Sequence, residues 1–132
     1  MTKSIVACLE DLFFRSKIDA TARHLNVPVQ FTNPAGLAAA SADGSVAAAL
    51  VELSPEALES IRKIRAGGRK DLPIVGFLSH VDRDLARQAE EAGVTQVMPR
   101  SQFSENLPDL LMSLVAPGTH REVQEEPELP DE

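Results

Sequence analysis

The stretch SVAAALVELSPEAL, residues 45–58, decides the fold of this chain. It contains an unbroken apolar run, residues 46–51, which is typical of a strand that is covered on both faces in a parallel sheet. Glu52 follows the run, and the sequence Ser-Pro-Glu at 54–56 is a strong helix-start signal. The chain is therefore predicted to follow a buried strand, present the Glu52 carboxylate at the strand's C-terminal end, and enter a helix.

The same alternation of strand and helix extends along the chain in both directions. Four further apolar runs predict strands at residues 4–9, 27–32, 72–78 and 94–98. Helical periodicity and caps predict helices at residues 12–26, 34–41, 55–66, 82–92 and, last, about 104–115. Pro28 places the second strand at an edge of the sheet. This order predicts an α/β protein with a parallel sheet and helices on both faces.

Composition bounds the class of protein. The chain has 132 residues, of which 43% are hydrophobic and 25% charged, as in an ordinary globular domain. A single cysteine, Cys8, excludes a disulfide framework within the chain. No apolar run reaches the length of a membrane-spanning helix, and the first residues do not resemble a secretory signal. A cytoplasmic location and no membrane partner are therefore expected.

Charge divides the chain into two parts. Residues 117–132 hold six acidic residues and one basic residue, which account for −5 of the formal net charge of −7. This segment is predicted to be a disordered acidic tail, and residues 1–116 a single folded domain. The domain is then nearly neutral, which argues against nucleic acid as a partner.

Charged residues follow several of the predicted strands. Glu10 and Asp11 come after the first strand, Glu52 after the third and Arg100 after the fifth. In a doubly wound sheet these C-terminal strand ends lie at one edge, where ligands bind. Carboxylates at one point predict a Mg²⁺ or phosphoryl-transfer site, with Glu10 and Asp11 as candidate metal ligands.

Two other features have both a structural and a binding interpretation. The third predicted helix has five basic residues around its end: Arg62, Lys63, Arg65, Arg69 and Lys70. Positive charge there interacts favourably with the helix dipole, and it is also suited to bind an acidic partner or the chain's own tail. Phe13 stands beside Phe14 in the first helix. If Phe14 faces the core, Phe13 points elsewhere and is predicted to be partly exposed.

The pattern from residue 4 to 116 resembles that of response-regulator receiver domains. The resemblance rests on the order of the elements and on three segments, LESIRKIRA (58–66), LPIVGF (72–77) and AGVTQVMPR (92–100), which correspond to the third helix, fourth strand and fifth strand of that family. It implies a flavodoxin-like, doubly wound, five-stranded parallel sheet with strand order 2-1-3-4-5.

The resemblance also implies roles for individual residues. Glu10 and Asp11 match the family's acid pocket, and Glu52 stands where the family has its phosphoacceptor aspartate. The switch hydroxyl falls on Leu78 or, with a shift of one residue, on Ser79. Two further positions depart from the family's pattern: Val97 replaces the switch aromatic residue, and Arg100 replaces the lysine.

These departures predict a stand-alone pseudo-receiver, a signalling domain of two-component type that is not an enzyme. It would act by protein–protein interaction without aspartate phosphorylation, with Glu52 imitating a phosphorylated residue and paired with Arg100. The family implies a partner-binding face formed by the fourth helix, fifth strand and fifth helix, here residues 82–92, 94–98 and 104–115. A homodimer is one form that this interaction could take.

Two alternatives remain open from the sequence. One is an atypical receiver that is still regulated by phosphorylation or by Mg²⁺ bound through Glu10 and Asp11. The other is a flavodoxin-like small-molecule binder or enzyme, although the chain contains no Trp or Tyr and no phosphate-binding loop. Apart from Mg²⁺, no cofactor is expected.

Overall fold

A parallel sheet is the frame of the molecule. In the computed structural model, which describes residues 3–115, the strands are β1 (Ser4–Cys8), β2 (Val29–Thr32), β3 (Val46–Glu52), β4 (Ile74–Leu78) and β5 (Gln96–Pro99). They pair in the order β2-β1-β3-β4-β5, and every pair is parallel. The predicted fold class and strand order are confirmed, and β2 lies at an edge of the sheet, as Pro28 indicated.

Within residues 3–115, six helices connect and cover the strands. They are α1 (Leu12–Leu25), α2 (Pro34–Ser41), α3 (Pro55–Ala66), α4 (Arg83–Ala92), α5 (Arg100–Glu105) and α6 (Leu107–Val115). The first four begin at a side chain that accepts a hydrogen bond from a backbone N–H three residues later, namely Asp11, Asn33, Ser54 and Asp82. Each cap starts its helix within a few residues of the preceding strand. The polar side chains in these short connections therefore lie close to the strand ends.

The sheet separates two hydrophobic cores. One core packs α2, α3 and α4 against the sheet and includes Leu37 and Ile61. The other packs α1, α5 and α6 against the opposite face and includes Phe14 and Phe103. The central strand β3 gives Val51 to the first core and Leu50 to the second. Burial on both faces explains why its apolar run is unbroken.

Three strands begin later than the apolar runs that predicted them. Val27, Leu72 and Val94 precede β2, β4 and β5, and each is at least 93% buried without belonging to a strand. They are apolar because they pack into the cores below the sheet edge. Burial therefore extends the sequence signal of a strand beyond its hydrogen-bonded residues.

The prediction of one last helix from about residue 104 was wrong. A helix begins directly at Arg100 and ends at Glu105, with Asn106 as its C-cap, and a second helix follows. Pro108 lies in the first turn of this second helix, where its missing N–H has no partner to lose. The start of α5 at Arg100 fixes that side chain at the C-terminal edge of the sheet.

The predicted acidic tail, residues 117–132, lies outside the described residues. Between residues 3 and 115, the helices are too short or too polar to cross a bilayer.

Candidate functional site

The C-terminal edge of the sheet collects the polar side chains that the sequence predicted there. Glu10 and Asp11 follow β1, Glu52 ends β3, Ser79 follows β4 and Arg100 follows β5. Parallel strands place these positions at one edge. The structure divides them into two hydrogen-bonded groups rather than one.

The first group is centred on Glu52, whose side chain is half-buried. Its Oε1 accepts a hydrogen bond from the backbone N–H of Glu10 at 3.1 Å. Its Oε2 accepts a hydrogen bond from the Ser79 hydroxyl at 2.7 Å. One carboxylate therefore connects the ends of three neighbouring strands, β1, β3 and β4. The Glu10 side chain itself is exposed.

The second group pairs Asp11 with Arg100. Nη2 of Arg100 lies 2.6 Å from Oδ2 of Asp11, and the guanidinium also stacks 4.7 Å from the centre of the Phe14 ring. The other Asp11 oxygen accepts the N–H of Phe14 at 3.1 Å, as the N-cap of α1. The pKa of Asp11 is held below its ordinary value, first by the Phe14 N–H and then by the charge of Arg100, although partial burial opposes the shift.

The predicted contact between Glu52 and Arg100 was therefore wrong. The cause is local: α1 begins at Leu12, so that its cap Asp11 and the Phe14 ring both face the first residue of α5. Next to Asp11 the guanidinium contacts a carboxylate and an aromatic ring face at once, and both contacts stabilise it. Glu52, in turn, is hydrogen-bonded to Ser79.

The two candidates for the switch position differ in direction. Leu78 is half-buried and packs against the core of α2, α3 and α4, whereas the Ser79 hydroxyl reaches Glu52. Of the two, Ser79 is the residue whose side chain contacts the carboxylate at the end of β3. Val97 is half-buried in β5 and packs against the same core as Leu78.

The predicted metal ligands do not fit a magnesium ion. Mg²⁺ requires oxygen ligands in near-octahedral geometry. Both oxygens of Asp11 already accept hydrogen bonds from protein donors, and one of these donors is the cation Arg100. Among residues 3–115, no group of three or more Asp, Glu, His or Cys side chains is arranged to hold a metal ion. Asp11 as arranged is therefore engaged by protein donors, and a metal site through Glu10 and Asp11 stays a prediction.

Cys8 lies directly beneath these carboxylates. Burial, together with the nearby charges of Glu52 and Glu10, raises the pKa of its thiol to about 12. A thiol with so high a pKa is a poor nucleophile at neutral pH. It acts as a packing residue of β1.

A groove adjoins the Asp11–Arg100 pair on its solvent side. We call it the Phe13 groove; its volume is about 650 Å³. Its apolar lining comes from α1, from the end of β4 and the loop after it, from α4 and from the end of β5: Phe13, Phe14, Leu78, Val81, Ala86 and Pro99. The exposure predicted for Phe13 is confirmed at 80%, and Val81 is 90% exposed. Sequence reasoning found Phe13 but missed the groove, because nothing in the sequence pairs α1 with the β4–α4 loop.

The basic residues near the end of α3 lie away from this site. The Arg69 guanidinium donates to the carbonyl oxygens of Ser41, Asp43 and Val46, at the start of β3. Arg65 donates to the carbonyl oxygens of Gly93 and of Arg69 itself. These two side chains join loops at the N-terminal edge of the sheet, and they are not a free positive patch.

Comparison with known proteins agrees with this architecture. No protein family model and no curated protein matches the sequence. A response regulator from Hahella chejuensis is 16% identical, with a TM-score of 0.73 over 87% of this chain and 96% of that one. Chemotaxis protein CheY4 of Vibrio cholerae is 13% identical, with a TM-score of 0.73 over 86% of this chain and 99% of that one.

A third solved structure is the receiver domain of sensor histidine kinase PA1611 from Pseudomonas aeruginosa. It is 17% identical, with a TM-score of 0.72 over 87% of this chain and 98% of that one, and it has a magnesium ion coordinated in its active-site cleft. Identities this low carry information on the fold rather than on the chemistry of the site. The chain has the fold of response-regulator receiver domains.

Proposed function

We propose that this chain is a receiver-type signalling domain that acts by protein–protein interaction and is not switched by phosphorylation at the end of β3. The position equivalent to the phosphoacceptor holds Glu52, and the fold is the one that receiver domains use. The chain would then present a fixed surface to its partner instead of alternating between two states.

The hydrogen bonding of Glu52 is the observation that carries this proposal. Both of its oxygens are engaged, one by the Glu10 N–H and the other by the Ser79 hydroxyl. Each hydrogen bond stabilises the charge of the oxygen that accepts it, which lowers the reactivity of the carboxylate toward a phosphoryl group. Glu52 already holds the hydroxyl that stands at the switch position, which is the contact expected of a site fixed in one state.

Two further features support the absence of phosphoryl transfer. Arg100 neutralises Asp11, which leaves only the exposed Glu10 of the predicted acid pair to bind a divalent ion. Glutamate is also one methylene longer than aspartate, and an error of about 1 Å in the position of a reacting group can cost ~10²-fold in rate.

The proposed partner surface is the face of α4, β5 and the α5–α6 pair. On α4, Arg87 is exposed and forms ion pairs with Asp84 at 2.5 Å and with Glu91 at 3.1 Å. Such a row of mutually oriented charges gives a surface of defined electrostatic pattern, which favours specificity in binding.

Reaction with acetyl phosphate and Mg²⁺, followed by intact-mass measurement, tests the phosphorylation part of the proposal. We expect no adduct on the chain and no change in the amide NMR signals around Ser79. The Glu52→Gln variant should shift those signals, because the charge that accepts the Ser79 hydroxyl is lost. A stoichiometric, acid-labile adduct at Glu52 would show that the site is an active phosphoacceptor.

Cross-linking in cells tests the interaction part. A photoreactive residue at Arg87 on α4 is compared with one at Arg62 on α3, since both are exposed arginines in helix-surface ion pairs. We expect a discrete cross-linked product from position 87 and none from position 62. Equal yields from the two positions would mean that α4 is not the partner surface.

A further inference from the structure

The Phe13 groove presents apolar side chains to solvent on two separate elements. Phe13 on α1 is 80% exposed, and Val81 in the β4–α4 loop is 90% exposed. Both line the same groove, together with the half-exposed Leu78 and Ala86. Contiguous exposed apolar surface at a concave site favours binding of another segment that removes it from water.

The rim of the groove is positively charged. Three cations line it: Lys17, Arg83 and Arg100. Of these three, only Arg100 has an ion-pair partner among residues 3–115. The Lys17 amine contacts the Ser104 hydroxyl. The one acidic side chain in the lining, Asp82, is engaged as the cap of α4, where it accepts the N–H of Leu85 at 3.0 Å. The groove therefore fits an acidic segment that also carries apolar side chains.

We propose that the chain's own residues 122–132, EVQEEPELPDE, occupy the Phe13 groove. This segment has six acidic residues and no basic residue. Val123 and Leu129 are its apolar side chains for the groove floor, and the acids lie along the rim near Lys17 and Arg83. The contact does not rest on the signalling role proposed above, but the groove adjoins the proposed partner surface, because Arg83 of α4 and Ser104 of α5 line it.

The length of the chain allows this contact. The helices α5 and α6 lead from Arg100 at the groove to Val115, and at 1.5 Å per residue they cover about 24 Å. An extended chain advances about 3.3 Å per residue, so that roughly seven residues return over that distance. Residues 116–122 therefore suffice to bring Val123 back to the groove.

The basic residues in and after α3 are a less suitable binding site for residues 122–132 than the Phe13 groove. Arg65 and Arg69 donate to backbone carbonyl oxygens, and Arg62 pairs with Glu59 at 3.1 Å. Lys63 and Lys70 remain, and neither of them lines the Phe13 groove. These two lysines therefore supply the matched control for charge.

Paramagnetic relaxation in the full-length chain tests the proposal. A nitroxide is attached at Gln124→Cys, a change that removes neither an acid nor an apolar side chain. Cys8 is 99% buried, so that the label goes to position 124. We expect selective loss of amide signal intensity at Phe13, Val81 and Arg83. At 1 M salt, where charges are screened beyond about 3 Å, much of the intensity should return.

Charge reversal completes the test. The Lys17→Glu, Arg83→Glu double variant should restore the groove signals, whereas Lys63→Glu, Lys70→Glu should leave the loss unchanged. Signal loss centred on Lys63 and Lys70, or spread evenly over the domain, would overturn the proposal. A mixture of isotope-labelled chain and unlabelled spin-labelled chain gives the last control, because signal loss there would mean that the segment occupies the groove of a second copy.

Discussion

Arg100 binds Asp11, 89 positions earlier in the chain, with 2.6 Å between Nη2 and Oδ2. The pair joins the first residue of α5 to the cap of α1, and the Phe14 ring lies beneath the guanidinium. Glu52 is left to Ser79 and to the Glu10 N–H. The Glu52 and Asp11 carboxylates are therefore each engaged by two protein donors, whereas the Glu10 side chain is exposed.

Replacing Asp11 with Asn should reduce stability at neutral pH, and the reduction should shrink in acid. The pKa of Asp11 is lower in the folded chain than in the unfolded chain, so its ionised form stabilises the fold. That contribution is complete above the unfolded pKa and is lost as pH falls through the folded pKa. Urea unfolding of the native chain and of Asp11→Asn at a series of pH values measures the difference. Asn still caps the helix, so the difference reports the charge.

The same Asp11→Asn substitution is also measured in a chain that carries Arg100→Gln, which removes the ion pair. The Phe14 N–H is the first cause of the lowered pKa and the Arg100 charge comes after it. The loss of stability caused by Asp11→Asn should therefore become smaller in the Arg100→Gln background, but it should not disappear. Complete loss of the pH dependence would show that the ion pair alone perturbs Asp11.

Removing the Phe103 ring should destabilise the fold and disturb the site at the same time. Phe103 is fully buried, stacks on Phe77 at 4.4 Å and meets Phe14 edge-on at 5.4 Å between ring centres. Phe103→Ala should cost about 3–5 kcal/mol in the free energy of unfolding. The Arg100 signals should also shift, since Phe14 supports that guanidinium. Leu12→Ala is the control: this side chain is exposed and lies outside the Phe13 groove, and its loss should change stability by less than about 0.5 kcal/mol.

Most of the fold follows from local sequence signals. The apolar run of β3, the caps at Ser54 and Asp82 and the left-handed Gly93 after α4 each specify their element without distant contacts. The sequence defines strand ends less well. Leu72, for example, is apolar because it is buried, although it lies outside the hydrogen-bonded strand. Local signals also could not divide the last helix at Asn106, where the break serves packing against the second core.

The site was predictable in its location but not in its contacts. The topology brings Glu52, Asp11 and Arg100 to one edge of the sheet, and that much follows from the strand order. The choice of carboxylate that pairs with Arg100 depends on the directions of side chains at the starts of α1 and α5. The Phe14 ring decides it, and the sequence offers no sign that this ring faces α5.

Gly93 should tolerate substitution poorly, and Gly44 should tolerate it well. Gly93 has a φ of 111°, in the left-handed region, and an added Cβ would lie 2.9 Å from Cγ of Arg65. Gly93→Ala should therefore cost about 1–2 kcal/mol in the free energy of unfolding. At Gly44 an added Cβ meets no atom within 4 Å, and Gly44→Ala should gain about 0.5 kcal/mol by restricting the unfolded chain. Thermal or urea unfolding that ranked the two variants in the opposite order would contradict this.

Arg69 should be the most important of the basic residues near α3. Its guanidinium donates to Asp43 at 2.7 Å, to Val46 at 3.0 Å and to Ser41 at 3.1 Å, and so it holds the turn that leads into the central strand. Arg69→Ala should lower the free energy of unfolding by about 2 kcal/mol, because three carbonyl oxygens lose a charged donor. Arg69→Lys should recover only part of this, since one ammonium group cannot reproduce the planar fork.

The matched control for Arg69 is Arg62→Ala on α3. Arg62 forms only an exposed pair with Glu59, and pairs of that kind contribute little, so the change should stay within about 0.5 kcal/mol. Hydrogen exchange at the Val46 and Ala48 amides locates the effect: it should accelerate in Arg69→Ala and not in Arg62→Ala. Equal losses of stability in the two variants would mean that the cations act through the general charge of α3. A loss confined to Arg69 would instead assign the effect to the carbonyl oxygens of the turn before β3.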